Sequence, residues 1–96
     1  MWRSKQTLIT EQIHIINRLG LHARAAASFV KMASSFDSDI HLSYGEQNVN
    51  GKSIMGIMML AASQGTEMLM KVDGADEKEA AAALVDLINN RFGEDE

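Results

Sequence analysis

Between Thr7 and Asn17 branched residues alternate loosely with polar ones, and Ile9, Ile13 and Ile15 fall on one side. That is the two-residue period of a strand. "RLG" (Arg18 to Gly20) breaks it. The period then changes. Ala26, Phe29, Val30 and Ala33 recur at i, i+3, i+4 and i+7, while Arg24, Ser28, Lys31 and Ser35 fall opposite, the two-sided pattern of a helix that begins just after His22. "DIHLSY" (Asp39 to Tyr44) alternates again, "GEQ" signals a turn, and "NVNG" reads as a short second strand.

"SIMGIMMLAAS" follows, a short helix that Ser53 can cap, with Ile57, Leu60 and Ala61 facing inward and Gly56 weakening it. Gly65 opens a turn into "TEMLMKVDG", a strand with Met68, Met70 and Val72 on one face. The last helix opens on Asp76, with Glu79 three residues on, close to a capping box. Its core stripe is Ala81, Leu84, Val85, Ile88 and Phe92, and Gly93 ends it. The order is β-α-β-β-α-β-α. An α+β open-faced sandwich, a four-stranded antiparallel sheet covered on one face by three helices, satisfies that order with short connections.

The 96 residues suit one domain, with residues 1–6 a loose N-terminal tail, where Trp2 is expected exposed, and residues 93–96 ("GEDE") a solvated acidic C-terminal tail. With 46% hydrophobic and 23% charged residues the composition is that of an ordinary globule, and the apolar runs are too short for a membrane span. There is no cysteine, hence neither a disulfide framework nor a cysteine-based zinc site. The opening twelve residues lack the pattern of a secretory signal, so the cytoplasm is the simplest address. A formal net charge of −4 gives no support to nucleic-acid binding.

The candidate chemistry lies in "LGLHARAAASFVK" (Leu19 to Lys31). If Ala23 is the first helical residue, His22 is the N-cap, and the amides after it have no partner inside the helix. The helix end carries a partial positive charge, and Arg24 adds a full one on a planar fork suited to phosphate oxygens. Leu19 and Gly20 leave the loop room to pass close by. An imidazole in such a place is a nucleophilic nitrogen inside an anion site, and its positive surroundings favour the neutral ring. The same spacing also fits an ordinary surface N-cap; His-x-Arg does not decide between the two.

His14 and His41 sit at solvent-facing strand positions, and three scattered histidines without clustered carboxylates make no metal signature. Ser53 is a cap on any reading. A phosphate there would suit the helix start while adding about −1.5 to −2 charge.

"GLHARAAASFV" resembles the active-site stretch of the HPr family, the histidine-containing phosphocarriers of the bacterial sugar phosphotransferase system. "VNGKSIMGIMMLAASQGTE" resembles that family's regulatory serine region. The likeness runs from about Gln6 to the end of the last helix. It implies that His22 carries a phosphoryl group on Nδ1, that Arg24 balances its charge and touches partners, and that the amides of Ala23 and Arg24 cap the phosphate. The implied donor is phosphorylated enzyme I, charged from phosphoenolpyruvate. The implied acceptors are A domains of sugar permeases or of a regulatory branch. No metal or organic cofactor is implied.

Ser53 corresponds to the serine modified by HPr kinase/phosphorylase, and Ile54, Met55 and Met58 to exposed apolar docking positions. Core packing is the alternative for such an apolar run; a short helix apolar nearly all round leaves one face over for a partner. The family usually has proline where this chain has Ala25. A monomer is expected of a shuttle that must release each partner. Two other functions fit the fold: a non-catalytic regulatory binder acting through Ser53 and the methionine patch, and a small ferredoxin-like metal or ligand module, which the missing Cys-x-x-Cys disfavours.

Overall fold

The computed structural model describes residues 8–96; the N-terminal tail and Trp2 lie outside the described residues. Strands β1 (Ile9–His14), β2 (Asp39–Tyr44), β3 (Gln47–Asn50) and β4 (Glu67–Asp73) alternate with helices α1 (Ala23–Ser34), α2 (Ile54–Met59) and α3 (Glu77–Asn89), and a 3₁₀ turn follows at Arg91–Gly93. The strands form one antiparallel sheet in the order β1-β4-β2-β3. The last strand therefore enters the middle, pairing Ile9 with Val72 on one side and Ile40 with Val72 on the other. No helix among the described residues is long and apolar enough to cross a membrane.

Register follows from burial. Met68, Met70 and Val72 of β4, Ile40 and Leu42 of β2, and Ile13 of β1 share the inner face; Glu67, Leu69 and His41 face out. A slip of one residue would carry every inner side chain to solvent, so the two-residue period fixes the pairing. The helices cover that inner face: α1 buries Ala25, Ala26, Phe29 and Ala33, α2 buries Ile57, and α3 buries Ala80, Ala81, Leu84 and Ile88. Phe29, 1% exposed, anchors α1, and a truncation of this kind costs about 3–5 kcal/mol.

Three local expectations are corrected. Asp76 does not form a capping box, and Glu79 stays exposed. The Asp76 carboxylate instead accepts from the amides of Asp37 (2.8 Å) and Ser38 (3.0 Å) and from the Ser38 hydroxyl, tying the α1–β2 link to the start of α3. Glu77 takes the local role, accepting from the Gly74 amide at 2.9 Å. Ala61 is exposed with φ 51°, because α2 has already ended; Ala62 turns inward in its place. Phe92 is buried, but not as part of the α3 stripe. It lies beyond the helix in a left-handed run with Arg91 and Gly93 (φ 58°, 55° and 81° in chain order), which reverses the chain.

Candidate functional site

The site is assembled where β1 ends and α1 begins. Asn17, fully buried, organises the loop: its Nδ2 donates to the Gly20 carbonyl at 2.8 Å, and its own carbonyl accepts from the Gly20 amide at 3.1 Å. Gly20 has φ +69°, and a Cβ there would lie 2.4 Å from the Ala62 carbonyl oxygen. Only glycine permits both the conformation and the approach. Leu21 then donates to that same carbonyl at 2.9 Å and is buried, so the loop is fastened to the segment after α2.

His22 follows, in extended conformation, as the N-cap of α1. Its side chain makes no cap hydrogen bond and is 27% exposed. The first helical bond runs from the Ala26 amide to the His22 carbonyl at 2.8 Å. The amides of Ala23, Arg24 and Ala25 have no hydrogen-bond partner among the described residues. The Arg24 side chain is exposed and lines, with His22, Ala23, Arg18 and Leu19, a cleft of about 610 Å³. Thus His22, Ala23 and Arg24 are brought together on one cleft at the start of α1.

The other wall of the cleft was not expected. Gly93 to Glu96, read from the sequence as a solvated acidic tail, folds back onto the site. Gly93, Asp95 and Glu96 are exposed, but the Glu94 side chain is only 12% exposed. One Glu94 oxygen accepts from Asn17 Nδ2 at 3.0 Å, and the other meets His22 Nε2 in a short hydrogen bond. The Glu96 carbonyl accepts from the Arg18 amide at 2.7 Å, and its carboxylate pairs with the Arg18 guanidinium.

Burial works to raise the Glu94 carboxyl. The hydrogen bonds from Asn17 and His22, with the charges of His22 and Arg24, outweigh it, and the group lies below the ordinary glutamate value. The purely electropositive setting expected for His22 is thereby corrected: a carboxylate meets the ring at Nε2.

Sequence signals for this wall existed. A core phenylalanine followed by glycine, beyond the end of a helix, marks a chain that must turn back. Asn17, at a strand end before an Arg-Leu-Gly break, marks a loop organised by its own side chain.

Ser53 caps α2, its hydroxyl accepting from the Gly56 amide at 3.0 Å. Ile54, Met55 and Met58 are exposed, Met55 at 72%, and Met59, next to Met58 in the same helix, is exposed at 68%. Ala25 has no amide hydrogen bond to lose, so the family's proline would forfeit none at this position.

A family model described as "PTS HPr component phosphorylation site" matches residues 9–90. The chain belongs to the HPr family. It is a phosphocarrier of the phosphotransferase system. The phosphocarrier protein HPr of Neisseria meningitidis serogroup A is 54% identical over 93% of this chain and 100% of its own length. The crystal structure of HPr-C-His from Thermoanaerobacter tengcongensis superposes with a TM-score of 0.88 at 50% identity, covering 92% of this chain and 99% of that one. An HPr dimer from the same organism matches with a TM-score of 0.73 at 54% identity over 85% of this chain and 94% of that one. The HPr fold, an open-faced antiparallel sheet with three helices in the order β-α-β-β-α-β-α, is the fold expected from the pattern of apolar positions.

Proposed function

We propose that His22 is the phosphoryl acceptor of this HPr-family chain and that the phosphorus is carried on Nδ1. The observation that supports this is the arrangement of the ring. Nε2 is engaged by Glu94, which leaves Nδ1 as the nitrogen free to react, in a cleft with Arg24 at the open tip of α1. Unpaired amides at Ala23 and Arg24 suit the oxygens of a phosphoryl group. Arg24, with no ion-pair partner among the described residues, offers its guanidinium to the same oxygens. Helix-end stabilisation is modest, about 0.3–2 kcal/mol, which suits a group that must be held and then surrendered.

The donor is phosphorylated enzyme I, charged from phosphoenolpyruvate, and the acceptors are A domains of sugar permeases or of a regulatory relay, met in the cytoplasm. Each partner supplies the second histidine of an in-line transfer. The chain works as one domain and as a monomer between encounters. Ile54, Met55 and Met58 are the docking positions, with the exposed Met59 on the same helix; small, transient interfaces fit such exchange. Ser53 is the regulatory position, a substrate for HPr kinase/phosphorylase where a host has one. A phosphate there keeps the helix start satisfied while placing negative charge beside the docking methionines.

The test is incubation with enzyme I and phosphoenolpyruvate, followed by intact mass. An acid-labile gain of one phosphoryl group, absent in His22→Ala, is expected. No gain with an enzyme I shown to be competent on another HPr would remove the proposal.

A further inference from the structure

The C-terminal segment is built to deliver one carboxylate. Phe92 is buried and pins the segment; the left-handed residues Arg91 to Gly93 turn it; the Arg18–Glu96 contacts clasp its far end. Between these fastenings Glu94 is aimed inward, held by buried Asn17 on one oxygen and meeting His22 on the other. A free acidic tail would need none of this.

We propose that Glu94 is a positioning residue for phosphoryl transfer, holding the proton on His22 Nε2 throughout the carrier's cycle so that the phosphoryl group is gained and lost at Nδ1 without proton movement. The proposal rests on the assignment of His22 as acceptor.

The chemistry balances as follows. A carboxylate only accepts hydrogen bonds, so the ring nitrogen facing it carries the proton. The neutral ring then has its lone pair on Nδ1. That pair attacks phosphorus as the donor's N–P bond breaks, and the bonding electrons return to the donor's imidazole nitrogen. The His22 ring now bears both an Nε2 proton and an Nδ1–P bond, hence a positive charge, which the Glu94 carboxylate faces directly.

On the outward step the Nδ1–P bond breaks and its electrons return to Nδ1. The leaving group is neutral imidazole, because the Nε2 proton never left. Without the carboxylate the phosphorylated ring more readily sheds that proton to water. Transfer from the deprotonated form must expel an imidazolate, a far poorer leaving group. The aspartate behind the histidine of hydrolytic triads holds a ring in the same manner.

Other charged residues line the same cleft. Arg24 comes from α1, Arg18 from the preceding loop, and Asp95 and Glu96 from the C-terminal segment. Asp95 and Glu96 are exposed and have no hydrogen bond to the ring among the described residues. Among the described residues Glu94 alone is placed to hold the Nε2 proton.

The experiment compares the wild-type chain with Glu94→Ala, Glu94→Gln and Glu94→Asp, each checked for an intact fold by thermal unfolding. Phosphohistidine is prepared with enzyme I, and its onward transfer to an excess A domain is followed from neutral to alkaline pH. The falling alkaline limb is expected about one pH unit lower in Glu94→Ala, a tenfold slower transfer at a given pH on that limb. Glu94→Asp is expected to recover part of the shift. Glu94→Gln keeps a hydrogen-bond acceptor but loses the charge, and is expected to follow alanine in the pH profile.

In proton NMR of the unphosphorylated protein, a downfield Nε2–H signal of His22 is expected in wild type and Glu94→Gln, and its loss to solvent exchange in Glu94→Ala. Superimposable pH profiles for wild type and Glu94→Ala, both folded and phosphorylated, would overturn the role of Glu94 while leaving His22 as acceptor. A wild-type protein that takes no phosphoryl group at all would instead strike at the acceptor assignment beneath it.

Discussion

Replacing Gly20 by alanine sets a methyl group of the loop that carries His22 against the segment after α2. Gly20 has φ +69°, and an added Cβ would sit 2.4 Å from the Ala62 oxygen and 2.9 Å from the Ser63 Cα, both backbone atoms that cannot rotate aside. The left-handed conformation costs alanine about 1–2 kcal/mol. Relieving the overlap costs about 1–3 kcal/mol more. The same displacement lengthens the Leu21–Ala62 hydrogen bond, now 2.9 Å and worth about 1 kcal/mol net. These contributions overlap, because one shift relieves strain and breaks the bond together, and about 3 kcal/mol is the expected loss.

For a domain of this size each kcal/mol is about 4–8 °C, so Tm should fall by about 12–24 °C in a calorimetric or circular-dichroism melt. Function should fall further than stability. Asn17 Nδ2 donates to both the Gly20 carbonyl and Glu94, so the shift is passed to the loop that carries His22 and to the carboxylate that meets its ring. At a temperature where the variant is still folded, phosphoryl acceptance should slow by about a hundredfold, the scale of a 1 Å misplacement. A melt within about 3 °C of wild type together with an unchanged acceptance rate would refute the reasoning that this loop is fixed by close backbone approach.

Other outcomes are equally definite. Met55→Glu is expected to weaken binding to enzyme I about tenfold in titration calorimetry, with stability changed by less than about 0.5 kcal/mol; equal affinity counts against a docking role. Ser53→Ala removes the oxygen that accepts from Gly56 and should cost about 1 kcal/mol, read as a lower Tm, whereas Ser53→Asp keeps the cap and should weaken enzyme I binding instead. Asp76 carries a pH signature. Its carboxyl lies below its ordinary value of 3.8 because the Ser38 hydroxyl donates to it, with the Asp37 amide next. A lowered folded value means a contribution present in full above the unfolded value and lost as pH falls through the folded one. Urea midpoints of wild type should therefore drop more steeply below about pH 4 than those of Asp76→Asn; parallel curves would remove the latch between Asp76 and Ser38.

The α+β architecture was legible because each element carries its period plainly. Met68, Met70 and Val72 alternate into the core, and Ala26, Phe29 and Ala33 recur as a helix face must. The helix start after His22 was equally legible, since helix boundaries are written locally, and the proposed half-site of His22, Ala23 and Arg24 lies along one stretch of chain. What sequence reading missed depends on contacts between distant segments. Asp76 has the residue type and spacing of a cap, yet its carboxylate serves residues 38 and 39 positions away, a partnership that no local pattern encodes. Glu94 belongs to a run of acids that reads as solvated, and only the burial of Phe92 with the left-handed turn after α3 reveals that it returns to His22 across 72 residues.

The most direct measurement places the phosphorus. Protein made with ring ¹⁵N-histidine, phosphorylated by enzyme I and phosphoenolpyruvate, is observed for ³¹P–¹⁵N coupling. Coupling to Nδ1 of His22 alone is expected, with Nε2 still bearing its proton. Coupling to Nε2, or to either nitrogen of His14 or His41, would contradict it.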